Sequence, residues 1–186
     1  FAEAERRGVP VFLSIGYATC HWCHVMAHES FEDPETAEHL NAGFVAIKVD
    51  REERPDVDAV FMKATQALTG QGGWPMTCFL TPDAEPFYCG TYYPPTPRGG
   101  MPGFGQVLAA IGETWRTRRD ELRQAAASAT EHLRINTGVL AVGPAIDREL
   151  AAAAVTAICD DEDRRAGGFG GAPKFPPSMQ LEALLR

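Results

Sequence analysis

Two cysteines three residues apart, Cys20 and Cys23, stand where an apolar run gives way to a helix, and this restricts the chain more than any other feature. Val9 to Ile15 is a run of strand length closed by Gly16, and the residues from Thr19 onward open a helix that continues through Met26 and His28. A thiol at a helix start meets unpaired backbone N–H groups and the positive end of the helix dipole, and both favour the thiolate. Cys23 lies one turn on, on the same face, where it can close a disulfide with Cys20. That arrangement predicts Cys20 as the exposed attacking thiol and Cys23 as the resolving one. His21, when protonated, adds a further positive charge beside them.

Two other chemistries use the same residue types. A structural zinc site needs four ligands, and the chain has no second C-x-x-C; His24 and His28, four residues apart, supply the missing pair only by sharing a helix face with the cysteines. Cys20 to His24 also spells the C-x-x-C-H pattern of covalent haem attachment, which a strand–loop–helix context suits poorly. The redox dithiol is the leading reading, with no organic cofactor and no resident metal.

The rest of the chain alternates strands and helices. Asp33-Pro34-Glu35 signals a helix start reaching to Gly43, and Phe44–Asp50 is a β-branched strand. Val57, Val60, Phe61, Ala64 and Leu68 then recur at helical spacing until Gly70-Gln71-Gly72-Gly73. Met76–Leu80 and Phe87–Tyr93 flank a short turn and predict a hairpin. Beyond a Pro/Gly-rich loop over 94–103, Phe104, Val107, Leu108, Ile111 and Trp115 mark one long helix reaching about Asn136. This order predicts an α/β fold, a mixed central sheet of about four strands with helices on both faces, followed by a C-terminal helical segment. Residues 1–136 are expected to form this domain. Residues 137–144 are expected to be a linker and 145–186 the start of a helical domain. Phe1-Ala2-Glu3-Ala4 reads as mid-helix and the chain stops inside another, so both ends look trimmed.

Charge and cysteine usage narrow the partners. A formal charge of -8 and the dispersal of Arg116, Arg118, Arg119 and Arg123 among acids argue against nucleic acid and anionic membranes. No apolar run reaches membrane-spanning length. Five cysteines, of which only one pair is closely spaced, favour a reducing, cytoplasmic compartment. Cys78 and Cys89 sit singly in strand-like runs, where a cysteine behaves as a small hydrophobe.

Gly73-Trp74-Pro75 precedes the hairpin, and a proline there can be cis and leave the backbone before it free to pair with an extended peptide. Strand, C-x-x-C, helix, strand, helix, this proline, hairpin and helix together resemble the thioredoxin superfamily. The blocks Cys20–Met26, His28–Phe31, Val49–Asp56 and Gly70–Pro75 resemble, more narrowly, the spermatogenesis-associated thioredoxin-like family. Gly167 to Pro176 is similar to the opening of that family's second part, an α/α-barrel like those of sugar epimerases. The resemblance implies a thiol–disulfide oxidoreductase or redox sensor, acting on a protein or small-molecule disulfide or dithiol, with the barrel as a neighbour in the same protein. A non-catalytic regulatory domain of a larger carbohydrate-acting enzyme is the alternative.

Ordinary thioredoxins carry a buried acid six residues before the first cysteine, where this chain has Ser14. His24, Asp50 or Glu52 is expected to stand in for it. Trp22, Trp74, Pro75, Tyr92 and Tyr93 are expected to surround the dithiol as an aromatic substrate platform.

Overall fold

The computed structural model describes residues 1–136, 147–171, 174 and 177–185. By contacts the chain divides into two units, Phe1–Val139 and Leu140–Arg186. The first is built on a sheet of order β2-β1-β3-β4, in which β1 (Val11–Gly16) runs parallel to β2 (Val45–Asp50) and antiparallel to β3 (Met76–Leu80). The edge strand β4 (Pro86–Gly90) pairs antiparallel with β3.

Helices cover both faces, so the central strands are buried on both sides and read as continuous apolar runs. Phe12 of β1 and Phe79 of β3 face one core with Met26, Leu40, Phe44 and Phe104. That core sits under α2 (His21–Met26), α3 (Pro34–Gly43) and α5 (Phe104–Thr117). On the opposite face Val11, Leu13 and Ile15 join Met76, Cys78 and Leu80 beneath α4 (Pro55–Thr69) and the short α1 (Ala2–Arg7). Between α2 and α3, residues Ala27–Phe31 form a single π-helical turn.

The structure corrects four expectations. The helix from Phe104 does not run unbroken to Asn136. It ends at Thr117, Arg118 leaves helical geometry at φ -135° and ψ 39°, and α6 (Arg119–Asn136) sets off anew. The break lets Trp115 Nε1 and Arg119 Nη2 both donate to the Gly8 carbonyl, at 2.9 and 2.6 Å. The second hairpin strand stops at Gly90 rather than at Tyr93, because the chain turns there to bury Tyr93. A Cβ on Gly90 would lie 2.0 Å from the Tyr93 hydroxyl. On α4 the inward face is Val57, Asp58, Phe61, Ala64 and Thr65, whereas Val60 and Leu68 are exposed. Strand β1 begins at Val11, with Pro10 unable to donate to the ladder.

In the second unit, α7 (Arg148–Asp160) starts at Asp147, whose carboxylate accepts the Leu150 N–H at 2.8 Å, and α8 (Ser178–Leu185) follows it. Between them Asp163 accepts the backbone N–H groups of Arg165 and Ala166 and pairs with Lys174, which holds its carboxyl down at about 2. The expected linker at 137–144 lies outside the described residues. Among the described residues no helix is long and apolar enough to cross a membrane.

Candidate functional site

Cys20 and Cys23 are joined in a disulfide with Cα atoms 5.2 Å apart. Cys20 is the N-cap of α2, and its Sγ accepts the backbone N–H of Cys23 at 3.2 Å. An extended residue with a side-chain acceptor at this position is how a helix start satisfies its first N–H groups, and here the acceptor is sulfur. The expected exposure is reversed. Cys20 is 4% exposed, with its sulfur folded back over the first turn, while Cys23 is half-buried and faces a cavity.

That cavity, of about 440 Å³, runs from Cys23 to the carboxyl ends of the parallel strands β1 and β2. Ser14, Lys48, Asp50, Glu53 and His24 contribute its polar groups. Ser14 and Lys48 are register partners across the two strands, so the position of the missing buried acid faces an ammonium-bearing residue. Gly16 makes room for the sulfur: a Cβ there would lie 2.9 Å from Cys23 Sγ. Of the residues expected to replace the acid, His24 and Asp50 line the cavity. His24 Nε2 donates to the Ala18 carbonyl at 2.7 Å, and Asp50 Oδ1 accepts the Glu52 N–H at 2.7 Å. Glu52 is exposed outside the cavity, and its neighbour Glu53 lines it instead.

On the other side of the dithiol lies a groove of about 310 Å³ formed by Trp22, Trp74, Tyr92, Arg98 and Met101. Trp22 is 49% exposed and packs against Tyr92 with ring centroids 5.0 Å apart. The Tyr92 hydroxyl donates to Glu29 Oε2 at 2.5 Å; desolvation, with that carboxylate second, holds the phenol above its usual range. His21 meets the Trp22 ring edge-on at 5.7 Å. Tyr93 is not part of this platform. It is buried, stacks on Phe104 and donates to the Tyr88 hydroxyl, since the turn after Gly90 carries it into the core. The Trp74–Pro75 peptide bond is cis, and Pro75 borders the cavity while Trp74 borders the groove.

Trp74 is held by residues outside the expected set. Its Nε1 donates to Asp58 Oδ1 at 2.7 Å, and the Arg51 guanidinium lies over its ring at 4.0 Å from the centroid. Arg51 Nε is also 3.3 Å from Asp58 Oδ2, an ion pair without hydrogen-bond alignment. Tyr17 meets the Trp74 ring edge-on at 5.8 Å and the Arg51 guanidinium at 5.6 Å. The signal for Asp58 was available: three and seven residues before Phe61 and Thr65, it is a carboxylate on the buried face of α4. Arg51 and Arg54 look alike in sequence, yet Arg54 pairs outward with Asp56.

Among the described residues no three His, Cys, Asp or Glu side chains gather to hold an ion. His28 pairs with Glu32 at 2.8 Å on the surface.

A four-stranded mixed sheet with a dithiol at the start of the helix after its first strand defines a thioredoxin-like domain. A family model described as "Protein of unknown function, DUF255" (Thioredox_DsbH) matches residues 1–134, and the chain belongs to that family. It is similar over its full length to uncharacterized protein B0495.5 of Caenorhabditis elegans, at 46% identity over 185 residues. The same holds for Spermatogenesis-associated protein 20 of Homo sapiens, at 42% over 192 residues. The chain spans about a quarter of the length of these relatives, 25% and 24%. Among solved structures it is similar to a thioredoxin from Thermus thermophilus, at 22% identity and TM-score 0.45, covering 61% of this chain and 81% of that one. A "DsbH Oxidoreductase" follows at 13% and 0.44, covering 63% and 79%.

Proposed function

We propose that the chain is a thiol–disulfide oxidoreductase module, and the observation that carries this is the Cys20–Cys23 disulfide capping α2 beside a polar cavity. In the reduced protein the Cys23 N–H that now reaches Cys20 Sγ favours a thiolate on Cys20. That thiolate, assigned the attack on its N-cap position and not on exposure, attacks a substrate disulfide, forming a mixed disulfide and releasing the first substrate thiolate. Cys23, deprotonated, then attacks Cys20 Sγ, releases the second substrate thiolate and closes the Cys20–Cys23 bond. The substrate gains two electrons and the dithiol loses them.

The Cys23 proton needs a way out, and the cavity behind that sulfur is the route. Ser14 has no usable pKa at neutral pH, so its hydroxyl only relays. The Lys48 ammonium stabilises the Cys23 thiolate across the cavity, and Asp50 and Glu53 at its mouth exchange protons with water. On the groove side Trp22, Trp74 and Tyr92 offer flat apolar surfaces to the residues flanking a substrate cysteine, and backbone beside Pro75 pairs with an extended peptide. The substrate class is therefore a protein or small-molecule disulfide, with no organic cofactor, in a reducing cytoplasmic setting.

Titration of the full chain against graded glutathione buffers, followed by thiol trapping, tests the proposal. One two-electron transition lost in Cys20→Ser is expected. Thiols that stay untrappable until a chelator is added would replace it with a metal site. The fourfold greater length of the relatives favours one second reading, in which the domain regulates a larger carbohydrate-acting enzyme whose α/α-barrel begins in residues 145–186. Activity of the longer protein that survives Cys20→Ser and Cys23→Ser would select it.

A further inference from the structure

We propose that Cys78 and Cys89 form a second redox couple, a buried cross-strand dithiol that a peroxide converts to a disulfide. The two residues are directly paired across β3 and β4, and their sulfurs lie 3.6 Å apart. Directly opposite residues on antiparallel strands have Cα atoms about 4.5–5.5 Å apart, inside the roughly 4.4–6.8 Å window a disulfide accepts. Closing the bond takes the sulfurs from 3.6 Å to the ~2.05 Å bond length. The neighbouring side chains direct the chemistry. Thr65 Oγ1 donates to the Phe61 carbonyl at 2.8 Å and lies 3.6 Å from the Cys78 sulfur. Cys78 is fully buried, at 0% exposure, in the core between β1 and β4, whereas Cys89 is 6% exposed on the edge strand.

The two thiols are therefore unequal. The adjacent Cys78 thiol holds Cys89 below the ordinary thiol range, while that contact and then burial hold Cys78 well above it. Cys89 ionises first and is the one a small oxidant reaches. Its thiolate attacks a peroxide oxygen, breaks the O–O bond and becomes a sulfenic acid as hydroxide leaves. Cys78 then attacks that sulfur and hydroxide departs again. With hydrogen peroxide the sum is two thiols and one peroxide giving one disulfide and two waters. A small oxidant suits a sulfur that is only 6% exposed. The couple is independent of Cys20 and Cys23, so each can stand or fall without the other.

The test treats the full chain carrying Cys20→Ser and Cys23→Ser with hydrogen peroxide, denatures it in alkylating reagent and digests it with a protease that cuts before aspartate. Asp83 lies between the two cysteines. The expected product is a linked peptide pair about 2 Da lighter than the sum of its parts, separable by dithiothreitol. The same digest of the unsubstituted chain gives this readout on peptides distinct from those of Cys20 and Cys23, should the double variant fold poorly. In Cys78→Ala treated with peroxide and then denatured in dimedone, Cys89 is expected to be trapped as its sulfenic acid adduct. Recovery of both cysteines fully alkylated overturns the proposal, as does Cys89 as sulfinic acid beside an alkylated Cys78.

Discussion

Removing the carboxylate of Asp58 separates a structural anchor from a surface charge. Asp58 is 6% exposed and accepts from Trp74 Nε1 at 2.7 Å. A hydrogen bond to a charged acceptor in such a place contributes about 1.5–3 kcal/mol. The Arg51 pair at 3.3 Å adds only about 0.5–1 kcal/mol, because the Arg51 side chain is 37% exposed and solvent screens it. Asp58→Ala is thus expected to cost about 2–4 kcal/mol. For a unit of this size that lowers Tm by roughly 6–15 °C. Asp58→Asn keeps an oxygen for the indole N–H and loses the charge, so about 1–2 kcal/mol, roughly half the shift, is expected. Near-UV circular dichroism should report both melts and, below them, a loosened Trp74 signal. Turnover of a peptide disulfide should fall more than turnover of a small one, since Trp74 borders the groove. An Asp58→Ala protein melting within about 2 °C of the parent, or alanine and asparagine variants that behave alike, would refute the reasoning.

Three further outcomes follow from the site and the core. Gly16→Ala puts a Cβ 2.9 Å from Cys23 Sγ, so stopped-flow thiol exchange should show a slowed ring-closing step while the fold persists. Lys48→Met removes the cavity's ammonium and should slow the release of substrate from the mixed disulfide by roughly two- to fivefold, with the effect shrinking in high salt. Tyr93 is held above its usual range by burial and then by Tyr88. A raised value means its stabilising contribution is whole below about pH 10 and is lost as pH climbs from there toward the folded-state value. Tyr93→Phe should flatten the fall in Tm measured above pH 10, and an unchanged alkaline slope would count against burial of the ring.

The features legible in the sequence are those written locally. The apolar run before Cys20, the β-branched run of β2 and the short turn between β3 and β4 each declare themselves within a few residues. Their order implies the sheet, because parallel neighbours need a helical crossover and a hairpin does not. What stayed hidden depends on distant chain. The burial of Asp58 is written in the spacing of α4, but its partner is not: only the return of Trp74 from beyond α4 stacks that indole on Arg51 and gives the carboxylate its donor. The kink at Arg118 has no proline or glycine to announce it, and the carbonyl that Trp115 and Arg119 share across it lies more than a hundred positions earlier. The accessibility of Cys20 and Cys23 is hidden from the sequence for a similar reason. Sequence shows which residue comes first on the helix but not which way its sulfur folds.

The Gly8 carbonyl that receives Trp115 and Arg119 also sets a schedule for the growing chain. Its acceptor leaves the ribosome early and its two donors late. At synthesis rates of about 5–20 residues per second the wait is roughly 5–20 seconds. Until Met76–Leu80 emerges within that interval, β1 lacks its antiparallel neighbour β3, and the closing helices come later still. The first apolar strand therefore emerges long before the segments that will cover it. Chaperones that grip short apolar stretches would find their target in Val11–Ile15 until α4 and β3 emerge to cover it.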